Sequence, residues 1–420
     1  MTNRTIKNLY PSDWIEYKFD DLFEFEGGMS LSRAKLSDEG ICYLHYGDIH
    51  KSNVNYIDVD NKLEEIPKYN TTLDNIKDKY LLRNGDIVFA DASEDYESIG
   101  KSIVVINKSN TPFISGLHTI TAKDKTDLLD NTYKRYFLLD WNIRKQIMVL
   151  STGISVLGIN KGNLKTVRVL LPPLKEQSKI GRILSTWDKA IELKERLIEL
   201  KKEQKKGLMQ KLLTGEVRVP GFNREWKSIK LKEIFLVRNE RSVITEDLPL
   251  YSLTIEAGVT EKTDRYNREF LVKSDNKKYK LSRKDDIVYN PSNLRFGAIA
   301  LNKTQNPVLL SPIYEVLYIK DNKKWDINFI AQLVTSDRQI RLFSAKAEGT
   351  LVERMAVKLD AFLNTTIYVP IEISEQRRIA EILGSLDKEI FLIKQELDSL
   401  VNQKKGLMQL LLTGKVRVQV

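Results

Sequence analysis

The C-terminal half of this chain repeats the middle of it in register. Glu176-Gln177 recurs as Glu375-Gln376, and Gln204-Lys205-Lys206-Gly207-Leu208-Met209-Gln210 recurs as Gln403-Lys404-Lys405-Gly406-Leu407-Met408-Gln409. Leu212-Leu213-Thr214-Gly215 and Val217-Arg218-Val219 return as Leu411-Leu412-Thr413-Gly414 and Val416-Arg417-Val418. Each pair lies 199 positions apart, as 176 does from 375 and 219 from 418, with no insertion or deletion between. A repeat of fixed period sets the architecture before any local propensity is weighed. Here it implies a duplicated unit: a large variable block followed by a helix, twice.

A length of 420 residues accommodates about two to three domains. With 42% hydrophobic residues there is material for real cores, which excludes wholesale disorder. The single cysteine, Cys42, excludes a disulfide framework and points to a reducing compartment. No apolar run approaches the roughly 18 residues that span a bilayer, and Met1-Thr2-Asn3-Arg4-Thr5 does not read as a signal peptide. The expectation is a cytoplasmic protein with no membrane contact. The 67 Lys and Arg against 57 Asp and Glu give a charge of +10. That favours a polyanionic partner, but a Lys-, Asn- and Ile-rich genome produces the same balance, so charge alone leaves the partner open.

The repeated segments read as long helices. Pro172-Pro173 and Pro370 stand just before them, where proline ends a strand. In the second copy Leu383, Leu386, Ile390, Ile393, Leu397 and Leu400 alternate steps of three and four, and Leu407 and Leu411 resume the pattern after Lys404. Such a seam belongs to a helix packed on another helix. The first copy places Leu184, Trp187, Ile191, Ile198, Leu208 and Leu212 at the matching positions, interrupted by Lys194, Lys201 and Lys205. Polar seam residues lower stability while fixing register and partner. The two helices are therefore expected to pair with each other.

The variable blocks read as mixed α/β (α+β) domains that are distantly alike. Arg83-Asn84-Gly85-Asp86-Ile87-Val88-Phe89 answers to Arg283-Lys284-Asp285-Asp286-Ile287-Val288-Tyr289, each a charged turn leading into an apolar, β-branched strand. A second strand follows in each, Ile103-Val104-Val105-Ile106 and Ala298-Ile299-Ala300-Leu301. Between them lie polar loops, residues 91–96 and 290–295, the kind of place where binding residues sit. Helical stretches around residues 131–150 and 325–343 close each block.

Motifs for catalysis do not hold up. Gly100-Lys101-Ser102 ends like a phosphate-binding loop, but Asp95 stands where the first glycine must let the backbone wrap a phosphate. Tyr289-Asn290-Pro291 hints at an adenine methyltransferase motif, which Ser292 and Asn293 break, and no glycine-rich cofactor loop precedes it. Cys42, His45 and His50 have a spacing a metal could use, yet a structural zinc takes four ligands and no fourth is near. Ile41 to Ile49 reads more simply as a strand and turn. His45, His50 or His118 would have to serve any serine or cysteine triad, and no nucleophile-elbow motif supports one. Glu192-Leu193-Lys194 mimics a nuclease motif within a highly charged helix. No catalytic residue and no metal site is assigned.

The plan of block, helix, block, helix resembles the specificity subunit of type I restriction-modification systems. Leu171-Pro172-Pro173-Leu174-Lys175-Glu176-Gln177 and residues 369–376 are similar to that family's P-P-x-x-E-Q lead into its helices, with Ile371 replacing the second proline in the latter. Residues 207–215 and their C-terminal copy are similar as well, and Gly85-Asp86-Ile87-Val88-Phe89 with Ser93, and Asp286 to Asn290, resemble strand motifs of its target recognition domains. The resemblance implies target recognition domains at 1–172 and 221–371 and long helices at 173–220 and 372–420, the helices pairing as an antiparallel coiled coil. It implies double-stranded DNA as partner, each domain contacting one half of a split, asymmetric target. It implies two modification (methyltransferase) subunits docked on the helices, and restriction (motor and nuclease) subunits. S-adenosylmethionine, ATP and Mg2+ belong on those partners, with no cofactor in this chain.

Candidate base- and backbone-contacting residues are polar or basic side chains on the inter-strand loops and nearby. They are His45, Tyr46, His50, Lys51, Ser93, Tyr96 and Lys101 in the first domain, and Asn290, Asn293, Arg295, Arg338, Arg341 and Arg354 in the second. Two other classes stay open at this point. One is a self-sufficient methyltransferase or nuclease with duplicated reading domains, which the missing cofactor loop argues against. The other is a coiled-coil interaction protein without DNA binding. The DNA target itself is not legible in loops this variable.

If residues 176–213 form one helix, it is about 57 Å long at roughly 1.5 Å per residue. DNA advances about 34–36 Å per turn, so such a rod bounds the unread gap well below two turns. Lengthening both helices by about one turn, with the seam in phase, is expected to leave both half-sites unchanged and widen the gap by one to two base pairs. Genome-wide methylation mapping in cells carrying the insertion checks this. An unchanged gap in an active complex shows that the helices are not the ruler.

Overall fold

A computed structural model describes residues 10–261, 277–349 and 355–419. The chain forms two compact units, 1–195 together with 395–420, and 196–394. Each unit contains one variable block and one half of each long helix. The helices run Leu174–Leu212 and Ile373–Leu412. Among the described residues no helix is long and apolar enough to cross a membrane.

The first unit is built on a five-stranded sheet in the order Phe23–Gly27, Thr119–Asp124, Ile87–Ala90, Ser102–Ile106, Tyr56–Asp58. Only the last pair is parallel. A four-stranded sheet follows, in the order Phe113–Ser115, Ile41–Leu44, Lys68–Tyr69, Leu36–Ser37. The second unit repeats the plan. Its four-stranded sheet runs Phe235–Val237, Glu315–Ile319, Ile287–Tyr289, Ile299–Leu301. Its five-stranded sheet pairs Leu250–Thr254 with Val308–Leu310 in parallel, as Ile41–Leu44 pairs with Phe113–Ser115 in the first. The charged turns before the equivalent central strands are closed the same way: Asp86 accepts from the Arg83 backbone N–H at 2.8 Å and Asp286 from that of Arg283 at 2.7 Å. The strands read from apolar runs at 87–89, 103–106, 287–289 and 299–301 are present. The helical stretches are each broken in two, Lys134–Phe137 and Trp141–Leu150, and Ile327–Val334 and Asp337–Ser344. Asp140 and Ser336 cap the second helix of each pair and so stop the first.

The helices pair antiparallel within each unit. In the second unit Lys201 meets Glu389 at 2.8 Å and Lys205 meets Asp387 at 2.6 Å; in the first, Lys194 meets Glu396 and Lys404 meets Asp188. Those lysines occupy seam positions, and each finds its carboxylate on the opposing helix, which is how a polar seam residue selects one register. Ile198, Leu386, Ile390 and Ile393 are buried, while Trp187, Ile191, Leu208, Leu397, Leu400 and Leu407 are half-buried. Leu184 and Leu383 go further: each is fully buried in the core of its own unit, Leu184 in the cluster that holds Leu164 and Leu411, Leu383 in the one that holds Phe329 and Leu212.

The repeated Glu-Gln at each helix start has two jobs. Gln177 donates to the carbonyls of Leu128 and Pro172, both at 2.9 Å, and accepts from the Asp130 backbone N–H at 3.0 Å. Gln376 makes the equivalent bonds to Lys324, Pro370 and Asp326. The glutamine thus fastens the helix to the variable block before it. Glu176, 1% exposed, receives a bidentate pair from Arg417 at 2.7 and 2.8 Å, and Glu375, also 1% exposed, receives one from Arg218 at 2.7 and 2.9 Å. In each case the arginine follows the end of the other helix. Gly215 and Gly414 make that turn possible, at φ of 74° and 66°, and a β-carbon at Gly414 would lie 2.4 Å from Pro11.

Arg417→Ala leaves the Glu176 carboxylate buried and unpaired. The expected cost is about 2–3 kcal/mol, below the full penalty for a buried pair because the arginine is itself partly solvated. Replacing Glu176 and Arg417 together by methionine is expected to recover most of it. Urea unfolding of the three proteins measures this; equal midpoints for wild type and Arg417→Ala would refute the role.

Candidate nucleic-acid interface

The chain has three histidines, and the fold gathers all of them around one tyrosine. The Tyr46 ring lies 4.4 Å from that of His45, 6.1 Å from His50 and 5.4 Å from His118. The sequence Ile41 to Ile49, read as strand and turn, is a strand followed by a short helix, Tyr46–Lys51. His45 caps it, accepting from the Gly47 N–H at 3.0 Å through Nδ1, and Asp48 returns a bond to the His45 N–H. Burial holds the His45 imidazole below its ordinary pKa, which keeps the ring neutral and able to accept.

The other candidates of the first domain divide by what their side chains already do. The His50 Nε2 donates to the Ala92 carbonyl at 2.8 Å. The Lys101 ammonium donates to the carbonyls of His50 at 2.9 Å and Ser52 at 2.7 Å, and burial lowers its pKa. Lys101 therefore ties the Tyr46–Lys51 helix to the central sheet. Ser93 is buried and accepts from the Asp95 N–H. Lys51 and Tyr96 are exposed, and Tyr46 is half-buried.

Three features of this face were not picked out from the sequence. Asp91 is a node: its N–H donates to the His118 carbonyl, its carbonyl accepts from Ile159, and its carboxylate lies 3.2 Å from His118 Nδ1. Burial raises the Asp91 pKa. Arg144 donates to three carbonyls, Glu97 and Ile99 at 2.8 Å and Gly100 at 3.0 Å, and so holds the loop that carries Tyr96. Ile154 is fully exposed on the loop between Thr152 and Leu157, whose end pairs with Ala92–Ser93. None carries a local signal, because each acts through contacts between segments far apart in sequence.

In the second domain Asn290, Asn293 and Arg295 lie on one turn. Asn290 accepts from the Ser292 N–H at 3.0 Å and orders the turn; Asn293 is exposed; the Arg295 guanidinium lies 4.5 Å from the Phe296 ring. Arg338 and Arg341 are exposed on Asp337–Ser344, lining a groove of about 850 Å³ with Lys202, Lys206 and Lys394. Asn290 and Asn293 do not line it. Arg354 lies outside the described residues.

Arg144→Met withdraws the donors from three loop carbonyls. The expected result is a loss of roughly 2–3 kcal/mol in local stability, read as faster hydrogen exchange at residues 97–101. Unchanged protection there would remove Arg144 from the account.

Comparison with known proteins falls on the same two blocks. The family model for the type I restriction modification DNA specificity domain matches twice, over residues 11–202 and 223–402. A Methanocaldococcus jannaschii protein named for the specificity subunit of the type I restriction enzyme MjaX is 27% identical over 97% of this chain and 95% of its own length. The MjaVIII specificity subunit of the same organism is 27% identical over 71% of this chain and 73% of its own. The crystal structure of a type I restriction-modification S subunit from M. genitalium superposes with a TM-score of 0.53 over 98% of this chain and 97% of that one, at 18% identity. That last likeness is one of fold.

Proposed function

The chain belongs to the type I restriction-modification DNA specificity family, and we propose that it directs such a complex to a bipartite, asymmetric DNA sequence, one recognition domain to each half. The observation that carries this reading is a duplicated scaffold with unlike side chains on its loops. Tyr96 and His118 are exposed on one domain, Asn293, Phe296 and Ile313 on the other. Identical half-sites call for identical readers; unlike readers fit unlike half-sites.

Affinity and selectivity separate in this scheme. Lys51, Arg338 and Arg341 offer charge to phosphates, which gives salt-dependent, sequence-independent binding, while a few side chains on fastened loops read base edges. His45, Ser93 and Lys101 support the loops from behind. The paired helices space the two readers and dock two methyltransferase subunits. Those subunits bring S-adenosylmethionine for adenine methylation, and restriction subunits bring ATP and Mg2+ for translocation and cleavage, all in the cytoplasm where the DNA is. This chain contributes recognition, not chemistry.

Replacing residues 1–172 by the block of another family member is expected to change one half of the methylated motif and preserve the other half. Methylation mapping of cells expressing the chimaera with its methyltransferase reads the outcome. A change in both halves would sink the modular reading.

A further inference from the structure

His118 has a backbone φ of 56°, in the left-handed region that a residue with a β-carbon holds only when its surroundings over-determine it. Here they do. The Gly116 N–H donates to the Leu44 carbonyl at 2.9 Å and the Leu117 N–H to the Tyr43 hydroxyl at 2.7 Å. The His118 carbonyl accepts from Asp91 at 3.1 Å, and the Thr119 hydroxyl donates back to Gly116 at 2.6 Å. Gly116 cannot carry a side chain: a β-carbon there would lie 2.4 Å from the Leu44 carbonyl oxygen and 2.5 Å from the Tyr43 ring. Every residue of this turn is fastened, yet the side chain that it presents is 51% exposed. Rigid backbone with an exposed polar tip is what reading a base edge requires.

The ring is oriented too. Its Nδ1 lies 3.2 Å from the Asp91 carboxylate, and the edge of Tyr46 packs against it. A carboxylate accepts, so Nδ1 carries the hydrogen, and in the neutral ring Nε2 is then the acceptor. Nε2 has no protein partner among the described residues. In the major groove it can accept from the exocyclic amine of adenine or cytosine.

The duplication provides an internal comparison. Ile120 pairs with Phe89 in the first unit and Glu315 with the equivalent Tyr289 in the second, which sets Ile313 at the position of His118. Ile313 is 61% exposed. Isoleucine cannot hydrogen-bond a base, but it can cover the 5-methyl group of thymine.

Building on the reading that each domain recognises one half-site, we propose that His118 and Ile313 are equivalent specificity-determining residues. His118 accepts from an exocyclic base amine in one half-site, and Ile313 packs on a thymine methyl in the other. The test uses the complex assembled with its methyltransferase subunit and a DNA library randomised across both half-sites. His118→Asn tolerates the left-handed backbone, and His118→Gly removes the side chain without strain. Both are expected to lower discrimination at one base pair of the first half-site by roughly ten-fold or more, with the second half-site untouched. Ile313→Ala is expected to do the reverse, at a T·A pair. An unchanged motif with His118→Gly overturns the inference. So does failure of both His118 variants to co-purify with the methyltransferase, which assigns the residue to folding. A wild-type complex without any bipartite motif removes the functional reading itself; a wild-type motif that all three variants retain removes the inference alone.

Discussion

A carboxylate with 1% of its surface exposed is tolerated in a protein interior beside a cation that it can bond fully, and each unit of this protein places one at the start of its long helix. Glu176 and Glu375 sit at the first turn of the long helices, and the arginines that neutralise them, Arg417 and Arg218, come from the far ends of the opposite helices. The consequence is closure within each unit. Neither recognition block is completed by its own segment of chain; each needs the tail that follows the other helix. Arg417 also holds Asp13, which brings the start of the first block to the same point. In the second unit Trp226 donates to Glu375 at 3.3 Å and lies under the Arg218 guanidinium.

The neighbouring glutamines explain why the repeat is a pair of residues. A glutamine side chain can donate twice and accept, and Gln177 and Gln376 use that capacity to stitch a helix start to the loop before it. Hydrophobic packing along the seam then has little freedom left. Lysines at seam positions, answered by Glu389, Asp387, Glu396 and Asp188, exclude registers in which a charge would face leucine.

On this scaffold the loops around Tyr46 and Tyr96 are fastened from behind. Lys101 and Arg144 spend their charge on backbone carbonyls, and His45 spends its lone pair on a helix cap. Each of these side chains is engaged within the protein and holds a loop or helix in place. Lys51, Tyr96, His118 and Ile154 are exposed there, as are Glu94, Asp95 and Glu97 beside Tyr96. An exposed residue on a fastened loop can change without disturbing the packing beneath it.

The repeat at an interval of 199 residues determined the duplicated plan and the two long helices with their pairing seam, because periodicity and identity are properties of the chain itself; the antiparallel sense of the pairing is set by the ion pairs between opposing helices. The strands at 87–89 and 287–289 were legible for the same reason: apolar, β-branched runs behind a charged turn have few other uses. The face was only partly legible. His45, Tyr46 and His50 are close in sequence and are close in space, but His118 joins them from 68 positions beyond His50 through a turn whose only local sign is Gly116. Whether Lys101 faces phosphate or a carbonyl, and whether Leu184 faces a helix or a core, depends on what other segments bring near it. Those contacts are set by tertiary packing, and a side chain's chemical type does not record which partner will reach it first.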